Sequence, residues 1–166
     1  MSVPLLLRLV REIPQVACFK AEAVPTPPKT RALIDGMTDR QVPILTGLGA
    51  LYGLFDLHSG SNGFMTGFAF PEVLMAMVKA MRDQQPEQVA AIYQHFLPLI
   101  VFEQQPGIAV RKELFRMRGV IDNGSVRHPG AGLAPSAAEQ LRLVLELTLP
   151  GVDLTKPLDV AEVMAR

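Results

Sequence analysis

A lysine ends a short apolar run in the segment VACFK, residues 16–20. Side chains alternate along a strand, so Val16, Cys18 and Lys20 would share one face with Glu22. The carboxyl end of a parallel strand is where α/β folds place catalytic groups. A lysine shielded from water loses its proton more readily, and its free amine can attack a carbonyl carbon. The pattern therefore suggests an amine nucleophile, but it also fits a lysine that extends from a strand end into solvent.

A glycine motif follows the second apolar run, where Gly47 and Gly49 flank one leucine and Gly53 lies further on. It resembles the dinucleotide fingerprint, but its third glycine is one residue late. No acidic residue ends a following strand at the expected distance either. A tight turn that lets the backbone approach a small ligand fits this spacing better than a nicotinamide site.

The remaining polar residues do not form a recognisable catalytic or metal motif. The histidines are far apart in different predicted elements, at His58, His95 and His128. Their spacing to cysteine or carboxylate residues is not that of a metal site, so no metal is predicted. His95 lies beside an apolar helical stripe and is predicted at the surface. Four further charged residues are predicted to be solvated: Asp39, Arg40, Arg116 and Arg118.

Alternating helices and strands are predicted to position these residues. Apolar spacing after Ser2 predicts a helix that stops at Pro14, and QVACF is predicted to be a buried strand. A weaker helix is predicted over residues 30–37. VPILTG and GFMTGFAF are predicted to be two further buried strands, separated by a short helix in ALYGLFDLHSG. This order predicts parallel strands joined by right-handed helical crossovers.

After Pro71 the pattern becomes helical throughout. Apolar residues recur at helical spacing from Val73 to Met81, and again from Val89 to Ile100 after Pro86. Two more helices are predicted, over residues 107–118 and 136–147. The last fifteen or so residues are predicted to be a loosely held tail with a short helix at its end.

Composition limits the possible partners. Charged residues are 19% of the chain and hydrophobic residues 49%, and Lys+Arg equals Asp+Glu at 16 each. This balance predicts neither a nucleic-acid nor an anionic-membrane partner. No apolar run approaches the roughly 18 residues of a membrane span. The single cysteine fits a reducing compartment, so a cytoplasmic protein is expected.

Three collinear segments resemble the C-terminal half of the dihydrodipicolinate synthase / N-acetylneuraminate lyase family, over about residues 2–149. They are IPQVACFKAEAVPTPPKTRALID, VPILTGLGALYGLFDLHSGSNGFMTGFAFPEVLMAMVKAM and AIYQHFLPLIVFEQQPGIAVRKELFRMRGVI. Their most specific parts are the strand ending in lysine, the glycine ending the next strand, GSNGFMTG, and LPL with KELFRMRG after it. Together these are far more specific than any single motif.

The resemblance implies a fold. The family is a TIM barrel with extra C-terminal helices, so the chain is expected to be α/β and to form part of a (β/α)8 barrel. It would contain the equivalents of helix 5 to helix 8, with three parallel strands matching the sixth, seventh and eighth. Residues 1–84 would belong to the barrel, residues 85–150 to the helical extension, and residues 151–166 to a tail.

The resemblance also implies an activity. The family contains class I aldolases and lyases that act on pyruvate and other 2-oxo acids, without a cofactor. Lys20 matches the lysine that forms a Schiff base with the 2-oxo carbon, and the protonated imine stabilises a carbanion or enamine beside it. Gly47 matches a glycine that lines the substrate. Met65 and Thr66 match positions that face the pocket.

One departure from the commoner family pattern concerns the subgroup. An acidic and then a small residue usually follow the lysine, whereas here Ala21 precedes Glu22 and PTPPK comes soon after. With TGFAFPE, this resembles the keto-deoxy sugar-acid dehydratase/aldolase branch. The sequence leaves open the role of Glu22, the particular 2-oxo acid, and the choice between condensation, cleavage and dehydration.

A second departure concerns the other half of the site. The family's carboxylate-binding Thr/Ser pair and its proton-shuttling tyrosine lie on strands that would precede residue 1. The chain alone is therefore expected to bind 2-oxo acids poorly, to turn over little, and to associate with copies of itself. Full-length relatives are commonly tetramers. The alternative is a non-catalytic remnant that acts as an interaction or regulatory module.

Overall fold

The computed structural model describes residues 1–105 and 107–166. Within these residues the α-helices are α1 (Val3–Glu12), α2 (Thr26–Gly36), α3 (Gly53–His58), α4 (Pro71–Arg82), α5 (Pro86–Gln104), α6 (Ile108–Met117), α7 (Pro135–Thr148) and α8 (Val160–Met164). The strands in the same residues are β1 (Phe19–Ala21), β2 (Ile44–Thr46) and β3 (Gly63–Phe64), with a 3-10 turn at Leu48–Ala50. None of the described helices is both long enough and apolar enough to span a bilayer.

The described strands form one parallel sheet in the order β1-β2-β3. Lys20 pairs with Leu45, and Leu45 pairs with Gly63 on its other side. The predicted parallel arrangement of the strands is therefore confirmed. Because all three run in the same direction, their carboxyl ends meet at one edge of the sheet.

The first strand begins later than predicted. Residues before Phe19 do not pair with β2. Arg40 instead forms hydrogen bonds with backbone carbonyl groups in this part of the chain. Its guanidinium donates to the carbonyl oxygens of Val10 at 2.9 Å and Pro14 at 2.8 Å, and also to that of Val16. The prediction that Arg40 is a solvated charge is wrong, because this side chain satisfies the backbone between α1 and β1.

The second helix begins earlier than predicted. α2 starts at Thr26 and contains Pro27 and Pro28 in its first turn, where the sequence pattern predicted a loop before residue 30. The first backbone N–H groups of a helix have no partner within it, so proline loses little there. The proline-rich segment is thus partly helical.

The main hydrophobic core surrounds α5. Phe96, Leu99 and Ile100 are fully buried and belong to one cluster with residues of α4, α6, α7 and α8. A smaller cluster joins α1, α2 and β2, and its buried members are Leu6, Val10, Leu33, Met37, Val42 and Ile44. The sheet therefore has a packed layer of helices beside it, which fixes where the strand ends lie.

His95 connects two of these helices. It is half-buried, and its Nε2 lies 2.7 Å from the backbone oxygen of Thr148 at the end of α7. A carbonyl oxygen can only accept, so Nε2 carries the proton and donates. The prediction of a surface histidine is therefore wrong, because α7 covers this face of α5.

The C-terminal residues are packed rather than loosely held. Arg118 forms an ion pair with Glu72 and lies 5.0 Å from the ring centre of Phe70. The backbone N–H of Leu158 donates to the same glutamate at 3.3 Å, and Val163 in α8 is buried. The prediction that Arg118 is a solvated charge is wrong, since only 9% of its side chain is exposed.

We predict that Phe96→Ala lowers the free energy of unfolding by about 3–5 kcal/mol, because it leaves a cavity in the core around α5. Leu147→Ala is the control, since that side chain is 69% exposed. It should change the free energy of unfolding by no more than about 0.5 kcal/mol. Urea unfolding monitored by circular dichroism measures both values. Equal losses in the two variants would contradict this description of the core.

Candidate active site

The residues predicted for the site lie at the carboxyl ends of the described strands. Lys20 is within β1, Gly47 follows β2, and Met65 and Thr66 follow β3. Backbone hydrogen bonds continue past the assigned strand ends. Gly47 donates its N–H to the carbonyl of Ala21 at 3.1 Å, and Met65 donates to the carbonyl at the end of β2 at 2.8 Å. These bonds hold the strand ends side by side at one edge of the sheet.

Lys20 and Glu22 form an ion pair on one side of the sheet, as their alternation predicted. Lys20 Nζ lies 3.0 Å from Glu22 Oε1, and the two side chains are 41% and 44% exposed. A hydrogen bond donated by Lys20 and a second one donated by the backbone N–H of Leu48 lower the pKa of Glu22. An exposed ion pair adds little to stability. The pair matters instead for chemistry at the site, because it places a carboxylate beside an amine at a strand end.

The turn after β2 has an unusual backbone. Leu48, Gly49 and Ala50 all have positive φ angles, of 50°, 62° and 67°. Only glycine adopts this left-handed region without a steric cost, so the other two residues are strained. The turn directs the N–H of Leu48 to Glu22 at 3.3 Å and that of Gly49 to Thr66 Oγ1 at 2.6 Å. The glycine motif thus forms a tight turn that brings backbone N–H groups to the strand ends.

Glycines at the strand ends are covered by polar side chains. A Cβ atom at Gly47 would lie 2.4 Å from Glu22 Oε1, and one at Gly49 would overlap the amide of Gln104. A Cβ atom on Gly67, after β3, would lie 2.4 Å from Nη1 of Arg111. Each glycine therefore leaves space that a polar side chain occupies.

Two buried residues that sequence reasoning missed anchor β2. The hydroxyl of Thr46 donates to the carboxylate of Asp56 in α3, and both residues are buried. The other oxygen of Asp56, Oδ1, has no hydrogen-bond partner among the described residues. An aspartate within the apolar segment GLFDLH was the one available signal, since a buried carboxylate needs a polar partner.

A second missed pair ties the C-terminal helices to β3. Glu103, at the end of α5, has a fully buried side chain. It accepts hydrogen bonds from the N–H of Ala69 at 2.9 Å and from Nε of Arg111 at 3.1 Å. Burial raises the pKa of Glu103, against the opposing effects of these two donors. The helices after the sheet therefore contact the segment that follows β3 through a buried charge.

Comparison with known proteins gives relatives of one kind. No protein-family model matches the chain. The chain is 39% identical over 142 residues to the L-2-keto-3-deoxyarabonate dehydratase of Azospirillum brasilense, a match that covers 85% of the chain and 46% of that protein. Dihydrodipicolinate synthase from Rhodopseudomonas palustris superposes with a TM-score of 0.84 at 30% identity, over 88% of this chain and 50% of that one. The 4-hydroxy-tetrahydrodipicolinate synthase of Methylacidiphilum fumariolicum has the same fold, with a TM-score of 0.79 at 24% identity, over 98% and 52%.

The chain is similar to part of proteins of the dihydrodipicolinate synthase / N-acetylneuraminate lyase family, in agreement with the resemblance that its sequence carries. It spans about half the length of the relatives that it matches. The sheet and the helices that follow it are accordingly part of a (β/α)8 barrel with a C-terminal helical extension. The dehydratase relative agrees with the keto-deoxy sugar-acid branch that the segment after Lys20 indicates.

We predict that Glu103→Gln becomes more stable relative to wild type as the pH rises above 4.5, the ordinary pKa of this group. The folded protein holds the Glu103 proton more tightly than the unfolded chain does, so this carboxyl costs stability once it ionises. Chemical unfolding of both proteins at a series of pH values measures the difference in free energy.

Glu113→Gln is the matched control, because a hydrogen bond from Arg116 lowers the pKa of Glu113. Its ionised form stabilises the folded protein, so this variant should lose stability relative to wild type as the pH rises through the acidic range. A pH-independent difference for Glu103→Gln would contradict the raised pKa.

Proposed function

We propose that the chain supplies the imine-forming lysine of a Schiff-base lyase or dehydratase that acts on 2-oxo acids. The observation that carries this proposal is the position of Lys20 Nζ at a strand end, 3.0 Å from the Glu22 carboxylate. The similarity to known proteins supports it, since a relative 39% identical over 142 residues is named as a keto-deoxy-arabonate dehydratase. Gly47, Met65 and Thr66 would line the bound substrate at the same edge of the sheet.

The proposed chemistry uses both members of the ion pair. Lys20 must lose a proton before its nitrogen attacks the 2-oxo carbon, and water then leaves to give the imine. Glu22 is a carboxylate within hydrogen-bond distance of that nitrogen. It can therefore accept a proton during imine formation. The protonated imine then withdraws electrons from the neighbouring carbon, which makes a proton there easier to remove.

Within this class, we favour a 2-keto-3-deoxy sugar acid as substrate. Loss of water from such a compound requires a base at carbon 3 and an acid for the hydroxyl at carbon 4. A carboxylate two residues after the lysine can exchange protons near both positions. The dehydratase name of the relative supports dehydration over condensation.

We predict that borohydride reduction in the presence of pyruvate attaches one reduced pyruvate to Lys20. Peptide mass spectrometry identifies the modified residue. Lys20→Ala should abolish the adduct, because no amine remains at this strand end. Lys79→Ala should retain it, since Lys79 is an exposed lysine of α4 that pairs with Asp83. A wild-type chain that gives no adduct would contradict the proposal and favour a non-catalytic interaction module.

We predict that the 166-residue chain alone shows little or no dehydratase or lyase turnover, even where the imine forms. The resemblance implies that the Thr/Ser pair that binds the substrate carboxylate and the tyrosine that moves protons belong to strands before the ones matched here. A coupled assay for 2-oxo acid products with keto-deoxy sugar acids measures turnover. Sustained turnover by the chain alone would contradict this division of roles.

A further inference from the structure

We infer that Gly47 is a positioning residue, whose missing side chain leaves the space in which the Glu22 carboxylate reaches Lys20. The role of Gly47 in catalysis rests on the proposed function, in which Lys20 forms an imine beside Glu22. A Cβ atom at position 47 would lie 2.4 Å from both Cγ and Oε1 of Glu22 and 2.7 Å from Cδ. Unbonded carbon atoms normally stay about 3.5–4.0 Å apart, so any other residue at this position would displace the glutamate.

The glutamate is the partner that would move. Glu22 is a flexible side chain that is 44% exposed, whereas Gly47 is buried and bonded on both sides of its backbone. Its N–H donates to the carbonyl of Ala21 at 3.1 Å, and its carbonyl accepts the N–H of Ala50 at 3.0 Å. The φ angle of Gly47 is −110°, outside the left-handed region that favours glycine. An alanine there should therefore shift the Glu22 side chain.

A displaced Glu22 loses two contacts together. Its Oε1 atom is 3.0 Å from Lys20 Nζ and accepts the N–H of Leu48 at 3.3 Å. Both contacts favour the ionised carboxylate and lower the pKa of Glu22. The loss of both should return the pKa toward its ordinary value and leave the lysine without its neighbouring base. If Gly47 served only to allow the turn, its replacement would change neither the pKa of Glu22 nor the contact between Glu22 and Lys20.

A matched control is available at the neighbouring strand. Gly67 also leaves space for a polar side chain, because a Cβ atom there would lie 2.4 Å from Nη1 of Arg111. Gly67→Ala would therefore displace a side chain that contacts Glu103 rather than Glu22. Gly67→Ala therefore introduces an equally close Cβ contact after a strand, but it leaves the Lys20–Glu22 pair unchanged.

The first experiment measures the pKa of Glu22 without any substrate. Carbon-13 NMR of protein labelled at glutamate side-chain carboxyls follows each titration, and the signal of Glu22 is the one that disappears in Glu22→Gln. We expect the pKa of Glu22 to rise in Gly47→Ala and to stay at the wild-type value in Gly67→Ala. An unchanged pKa in Gly47→Ala would overturn the inference, whatever the chain does with pyruvate.

The second experiment is a double-mutant cycle on the rate of borohydride trapping with pyruvate. We expect Gly47→Ala and Glu22→Gln each to slow trapping by about 100-fold, the low end of what a positioned acid–base group contributes. The double variant should be no slower than either single one, because Gly47 acts through Glu22. Losses that multiply in the double variant would overturn the inference.

The two experiments also separate this inference from the proposed function. If no variant, wild type included, forms an adduct, the proposed function fails while the titration still decides what Gly47 does. If adducts form but the titration of Glu22 is insensitive to Gly47→Ala, the function stands and the positioning role is rejected. Circular dichroism of each variant confirms that the fold is retained before either result is interpreted.

Discussion

The candidate site depends on β2, the central strand of the described sheet. This strand hydrogen-bonds in parallel to β1 on one side and to β3 on the other, so it sets the register of both. Ile44 is fully buried in the cluster with α1 and α2, and Thr46 is bonded to the buried Asp56 of α3. With one face of this strand fixed by these contacts and both of its edges paired, the strand ends that carry Lys20, Gly47 and Met65 have defined positions.

Glycines and polar side chains are paired around that edge. Glu22 lies against Gly47, Gln104 against Gly49, and Arg111 against Gly67. In each case a side chain from another element fills the space beside a backbone without a Cβ atom. The chain can thus bring charged and amide groups close to strand ends where bulkier residues would exclude them. Glycine in these positions is a packing requirement of the site, and only at Gly49 does a left-handed backbone also require it.

The helices after the sheet contribute to the site as well as to the core. α5 carries the buried residues that hold the larger cluster together, and its end places Glu103 against Ala69. α6 then supplies Arg111, which pairs with this carboxylate and covers Gly67. The helical extension therefore stabilises the segment after β3. The family fold provides the rest of the barrel in relatives about twice as long.

Local pattern was sufficient for the order of elements and for the position of Lys20 at a strand end. Alternation placed Lys20 and Glu22 on one side of a strand, and apolar periodicity located the helices after Pro71, because both signals come from neighbouring residues. The start of α2 and the short β1 were missed, since prolines are tolerated in a first helical turn and Arg40 binds the carbonyls before β1. These boundaries depend on partners that periodicity does not report.

The sequence by itself determined the α/β order, the family resemblance and the lysine with a carboxylate two residues away. Tertiary structure decided which polar residues are buried and what they touch. Arg118, interpreted from sequence as solvated, is buried against Glu72, and Asp56 is paired with Thr46. It also decided that Glu22 occupies the space beside Gly47. The physical reason is that these partners are distant in the chain and meet only when the strands and helices pack.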